Sequence, residues 1–161
     1  MHAPPEYAAL YLRLIERIDP DFARARLALA QLFEELELED EALAAYEGLE
    51  DTAFGYGAGV SAAWLRFRMG EDETALEAIS RLERGTPYDA ELARADMLRF
   101  TGQCEAARAI YDQVIALSKD GRIPADWRHL FYAGICAESV EGFDAAEPYY
   151  VRALQLAPDE P

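Results

Sequence analysis

The chain is poor in several things that would have pointed to a particular chemistry. No apolar run approaches the roughly 20 residues needed to cross a bilayer, and Met1 to Glu6 lacks the basic segment and apolar stretch of a signal peptide. A chain neither inserted nor exported is expected, in the cytoplasm, or in the periplasm if an export signal precedes the sequence. Two cysteines, Cys104 and Cys136, are too few and too isolated for a disulfide framework, and neither belongs to a CxxC pair. They are expected as small apolar residues packed between helices. Two histidines, His2 and His129, cannot supply a zinc site: His129 and Cys136 could share a helical face, but two ligands without a third hold no structural metal. No GxSxG, HExxH or P-loop pattern occurs. Asparagine is absent and Lys119 is the only lysine beside fourteen arginines, a bias that suggests a coding sequence rich in G and C.

What is present argues for a folded, acidic protein. With 52% hydrophobic and 29% charged residues, 161 residues can bury a continuous core. The formal charge of −16 repels phosphate backbones and anionic headgroups and attracts basic partners, so nucleic acid and membrane insertion are excluded from the expectations.

The strongest signal is an internal period. Small residues stand at Ala30, Ala63, Ala95 and Gly134, and each is followed twelve positions later by another, at Ala42, Ala75, Ala107 and Ala146. Four residues on come Tyr46, Ile79, Tyr111 and Tyr150, and three further Leu49, Leu82, Val114 and Ala153. Offsets of four and seven trace one face of a helix. Pro87 and Pro158 follow Ala75 and Ala146 by twelve, as Pro20 follows Ala8, so the first helix reads as the second half of a repeat. Breaks at Leu38-Glu39-Asp40, Gly70-Glu71-Asp72, Thr101-Gly102-Gln103 and 141–144 divide each unit into two helices. Asp40, Asp72 and Asp144 are the expected N-caps, Asp144 with Glu147 as a capping box. Strands are nowhere suggested.

This pattern of small residue, twelve-residue step, small residue, aromatic four later and terminal proline resembles the tetratricopeptide repeat (TPR) family, as found in bacterial TPR-containing proteins. The last unit carries it best, through Gly134, Phe143, Ala146, Tyr150, Ala153, Leu154 and Pro158. The resemblance implies an all-α fold, a right-handed superhelical solenoid of antiparallel helix pairs. The expected array fills the chain as a half repeat at 6–20 and repeats at 21–52, 53–87, 88–120 and 124–158. Neither helix of a pair can bury its apolar face alone, so pairs stack, and the small residues let backbones approach.

Departures from the pattern carry their own expectations. Glu91 and Arg94 take apolar positions of the third unit, leaving Leu92, Ala95 and Leu98 to hold that face. Gly55, Gly57 and Gly59 open the second unit; no Lys-Ser/Thr follows, so a close-packed or frayed helix start is expected rather than a phosphate cradle. Gly121 is expected to end one helix and Pro124 to begin the next, around an insertion near Ser118 to Ile123. Pro148 is expected in the first turn of the last helix, where a lost amide costs little. No capping helix follows Pro158, so Tyr149 and Leu154 should stay partly uncovered, which suggests a segment of a larger TPR protein, or one whose end is covered by another copy.

No chemistry competes with binding. Acidic pairs such as Glu34-Glu35 and Asp72-Glu73 read as solvated helix surface or first-turn charge, and no catalytic residue, metal or cofactor is expected. In the family, first helices line the concave side. Carried over residue by residue, that groove holds Arg24, Leu27, Gln31 and Glu34; Val60, Trp64, Phe67 and Arg68; Asp89, Leu92, Asp96 and Arg99; and Arg128, Phe131, Ile135 and Glu138. The lysines and asparagines of the family's carboxylate clamp for chaperone tails are missing: Leu27, Gln31, Val60, Trp64, Leu92, Asp96, Phe131 and Ile135 stand there. An apolar floor better suits an amphipathic helix or hydrophobic peptide, anchored on Trp64 and Phe131, or a basic segment drawn by the charge. The expected role is a non-catalytic protein-interaction scaffold; the alternative is a structural spacer or self-association module stacking through uncapped ends.

Overall fold

In a computed structural model, residues 5–19, 22–82, 88–124 and 126–157 are described. His2, Pro20, Pro87 and Pro158 lie outside them, as does the side chain of Ala8. All regular structure among the described residues is helical: α1 (Pro5–Ile18), α2 (Ala23–Glu35), α3 (Glu39–Glu47), α4 (Gly55–Arg68), α5 (Asp72–Arg81), α6 (Asp89–Phe100), α7 (Cys104–Lys119), α8 (Trp127–Glu141) and α9 (Phe143–Leu156). Two units separate at residue 83: α1 to α5 form the first and α6 to α9 the second.

In the first unit, each helix packs on the next, α1 on α2, α2 on α3, α3 on α4 and α4 on α5. Leu29, Ala30, Phe33, Ala42, Tyr46, Leu49, Ala58, Ala62 and Leu65 form its core, with Leu12 of α1 laid against it. The second unit follows the same order, α6 on α7, α7 on α8 and α8 on α9. Met97, Tyr111, Val114 and Cys136 are its largest fully buried side chains.

The twelve-residue step is a packing rule. All seven alanines of the two small-residue columns have no exposed surface, and Gly134 is buried with them. At Gly134 the reason is direct: a Cβ there would lie 2.6 Å from Cε1 of Tyr150, so only glycine admits the α9 tyrosine. The third unit keeps its face through Ala90, Ala93, Ala95, Met97 and Leu98, while Leu92 is half-buried. Of the three glycines opening α4, two are close-packed: a Cβ on Gly55 would strike the Glu50 carbonyl, and one on Gly59 would meet Leu82.

The turns inside the pairs explain why the N-cap expectations fail. After α2, Glu37 adopts the left-handed conformation (φ 58°) and donates its N–H to the Glu34 carbonyl, while the Leu38 N–H reaches back to Phe33. This is a Schellman closure. The carbonyl of the same Leu38 accepts from Ala42, opening α3. Gly70 and Glu71 repeat the arrangement before Ala75, and Gly102 and Gln103 before Ala107. One residue thus ends one helix and opens the next through its backbone, and the residues at that position, Leu38, Glu71 and Gln103, have no short side-chain oxygen to cap with. Asp40 and Asp72 fall instead inside the first turns of α3 and α5, where negative charge favours the helix dipole. Between α8 and α9 the junction shrinks to Gly142 (φ 95°), which takes the cap position; Asp144 lies inside α9 and forms no capping box.

Two prolines also sit differently from the expectation. Gly121 (φ 69°) does close α7, but α8 begins at Trp127, three residues beyond Pro124, because Asp126 caps it by accepting from the Arg128 N–H at 2.9 Å. Pro148 is the sixth residue of α9, past the free amides of the first turn, so it removes one backbone hydrogen bond from the helix interior.

Candidate functional site

The first helices of each pair, α2 and α4 in one unit and α6 and α8 in the other, carry the residues expected to bind. In the first unit, Arg24 and Gln31 are exposed, Leu27 leans half-buried on the core, and Val60 and Trp64 are half-buried. Trp64 stands edge-on to Phe67, ring centroids 5.8 Å apart. Arg68 is exposed, yet its guanidinium reaches Glu34 at 2.5 Å, tying α4 to α2.

Glu34 is shared. Its second oxygen accepts the Tyr46 hydroxyl at 2.5 Å. Burial first, and then the Glu34 carboxylate, push the Tyr46 phenol well above its ordinary range. The pairing follows the repeat: Tyr150 donates to Glu138, again twelve residues earlier, at 2.7 Å. The equivalent partner of Tyr111 would be Arg99, a donor, so Tyr111 turns to Asp96 at 2.5 Å and Arg99 closes on the same carboxylate at 3.3 Å. In the remaining unit Ile79 and Phe67 occupy the two positions, and both are apolar. The column therefore pairs donor with acceptor at Tyr46 and Tyr150, diverts the bond to Asp96 at Tyr111 and is apolar at Ile79.

In the second unit this network consumes much of the expected face. The Arg99 guanidinium sits between the rings of Phe100 and Tyr132, at 4.2 and 4.4 Å from their centroids, a cation–π sandwich. Arg128 folds back on Asp126, with its Nε 3.0 Å from both carboxylate oxygens, and that contact holds the Asp126 carboxyl below its usual range. Leu92 and Ile135 are half-buried. Phe131 remains 39% exposed while touching Trp127, Tyr132 and Tyr150 with centroids 5.8–6.1 Å away. It is at once part of the packing between helices and part of the surface.

Sequence reasoning missed Phe100, Tyr132 and Trp127 as members of this aromatic surface. Trp127 and Phe131, four apart on one helix, were the available signal. It also missed the ties between helices: Tyr149 donates to Asp112 at 2.8 Å, and Arg108 reaches Glu141 at 2.6 Å. Tyr149 and Leu154, both expected to be partly uncovered, are half-buried and exposed respectively, and the Tyr149 phenol is raised to about 12 by burial and by Asp112. Both cysteines are free and buried. Burial first, and then Cys104, raise the Cys136 thiol. Among the described residues no group of three His, Cys, Asp or Glu is placed to hold a metal, and no helix is long and apolar enough to cross a membrane.

No protein-family model matches the chain, and no curated relative does. Solved structures do. MamA shares 18% identity over 94% of this chain and 87% of its own, with a TM-score of 0.77. YrrB, described as a TPR protein with an unusual peptide-binding site, shares 16% over 97% of this chain and 79% of its own, with a TM-score of 0.73. TTC0263, a thermophilic TPR protein of Thermus thermophilus, shares 22% over 97% and 84%, with a TM-score of 0.63. At such identities the likeness concerns architecture alone, and the architecture is plain: the chain has the all-α helical-repeat solenoid fold of the tetratricopeptide-repeat proteins.

Proposed function

We propose that the chain is a non-catalytic protein-interaction scaffold whose first-helix faces bind a peptide or amphipathic helix. The observation that carries this reading is the division of labour on those faces. Their charged side chains Glu34, Arg68, Asp96, Arg99 and Arg128 are engaged by neighbours within the protein, while Trp64 and Phe131 keep part of their rings in solvent. Saturated charges offer a partner little, whereas a part-exposed aromatic on a rigid helix is the usual form of an interface anchor. In the first unit Leu27 and Val60 would complete the apolar floor beside Trp64, with Arg24 and Gln31 as its polar rim; in the second, Leu92 and Ile135 would do so beside Phe131. The likeness to a peptide-binding TPR protein supports the same reading. The net charge of −16 favours a partner with a basic flank. Affinity capture from lysate of the source cells, comparing wild type with Trp64→Ala/Phe131→Ala, tests it. The double variant should lose its specific captured partner; an unchanged set of captured proteins would overturn the assignment of these faces.

One observation favours self-association as a second reading. α1 turns Leu10, Leu14, Ile15 and Ile18 to solvent, the last 83% exposed, a larger apolar stripe than a solvated helix normally carries. Sedimentation velocity over a concentration series, with Leu14→Asp/Ile18→Asp as control, distinguishes this. A concentration-dependent species that the control abolishes supports it, and a monomer at every concentration removes it.

A further inference from the structure

We infer that the second unit holds a small-carboxylate site at the open ends of its last three helices. A cavity of about 270 Å³ lies between the end of α7, the start of α8 and the end of α9. Lys119 and Arg152 converge on it from α7 and α9, together with Ser118, His129 and Gln155. Ile115, Leu130 and Leu156 supply an apolar wall.

The charge pattern singles this place out. The chain has twice as many acidic as basic residues, and six arginines (Arg66, Arg68, Arg81, Arg99, Arg108 and Arg128) are each bound to a carboxylate. Lys119 and Arg152 share one cavity, and no ion pair joins either to a described carboxylate. Asp126 is the one carboxylate among the described residues of the wall, and it is spoken for: both its oxygens receive the Arg128 guanidinium and one also receives the Arg128 backbone N–H. The chain's only lysine and a second cation thus line a cavity where, among the described residues, the one counter-charge is turned to another partner.

The chemistry of the wall selects the ligand. A carboxylate accepts from Arg152 in the two-pronged geometry a guanidinium favours and from the Lys119 ammonium beside it, with the Ser118 hydroxyl and Gln155 amide as further donors. Ile115, Leu130 and Leu156 give a short aliphatic chain somewhere to go, which a hydrated inorganic anion would not use. The volume falls just under the span of about 300–1,000 Å³ typical of ligand pockets and suits a carboxylate of metabolite size.

The test is titration of the 15N-labelled full chain with 4-methylpentanoate, its uncharged amide and inorganic phosphate, followed by amide shifts around Ser118, His129 and Gln155. The carboxylate should move these signals saturably, the uncharged amide should not, and phosphate should bind at least several-fold more weakly. Arg152→Gln should weaken carboxylate binding at least tenfold and Lys119→Gln to a lesser degree, in variants whose remaining spectrum shows the native fold. Equal binding of acid and amide, undiminished binding by Arg152→Gln, or no localised shifts with 20 mM carboxylate (roughly the weakest affinity such a site is worth) would each overturn the site.

Discussion

At position 34 a single carboxylate receives a phenol from within its own pair and a guanidinium from the next, so one side chain closes a repeat and joins it to its neighbour. The same economy places Asp96 between Tyr111 and Arg99. Removing the hydroxyl with Tyr111→Phe leaves the ring packed but strips a donor from a half-buried anion. A loss of about 1.5–3 kcal/mol is expected for a hydrogen bond to a charged group, read from urea unfolding. The tyrosines also fix an alkaline limit. Tyr46 and Tyr111 are raised above the ordinary phenol range, Tyr149 and Tyr150 to about 12, in each case by burial first and then by the carboxylate they face. The unfolded chain sheds these protons near pH 10 and the folded chain holds them longer. Their contribution is therefore complete below pH 10 and is lost as pH climbs toward 12. Thermal melts at half-unit steps from pH 9 to 12 should show Tm falling across that window, and less steeply in Tyr150→Phe.

At the scale of the helix, the eight small positions were legible in the sequence because small size is the one property that close approach of two backbones demands. The seven alanines have no exposed surface and Gly134 is buried. Ala107→Leu or Ala146→Leu should cost about 1–3 kcal/mol by overpacking, measured by denaturant unfolding. The caps were not legible. The preceding Schellman turn decides which residue falls at the cap position, and it places Leu38 and Glu71 there, so that Asp40 and Asp72 fall inside the first turn. Nor were the tyrosine partners legible, since a glutamate twelve residues before a tyrosine looks like any exposed acid until two helices fold side by side. Glu37 is the one non-glycine among the described left-handed residues. Glu37→Gly should raise stability by up to about 1 kcal/mol, the left-handed penalty of roughly 1–2 kcal/mol partly offset by the greater freedom of glycine in the unfolded chain. A fall in the urea midpoint would show that the glutamate side chain contributes more than its backbone costs.

For the whole molecule, thirty-one acids on 161 residues create a self-repulsion that the local ion pairs only partly answer. Raising NaCl from 10 to 200 mM should therefore increase Tm, since screening removes the repulsion between distant acids more completely than it weakens contacts at 2.5–2.6 Å. A melt in which Tm falls with salt would mean that exposed ion pairs dominate instead. The junctions that end one helix and start the next also govern how the chain can be lengthened. Each added residue turns a following helix by about 100° about its axis, so one extra amino acid at Leu38, Glu71 or Gln103 would rotate Ala42, Ala75 or Ala107 away from its neighbour. A fused epitope or fluorophore would find no slack there. Between Asp120 and Pro124, by contrast, exposed backbone separates α7 from α8 without a shared cap. That stretch is where a reporter could be grafted while both flanking helices keep their phase.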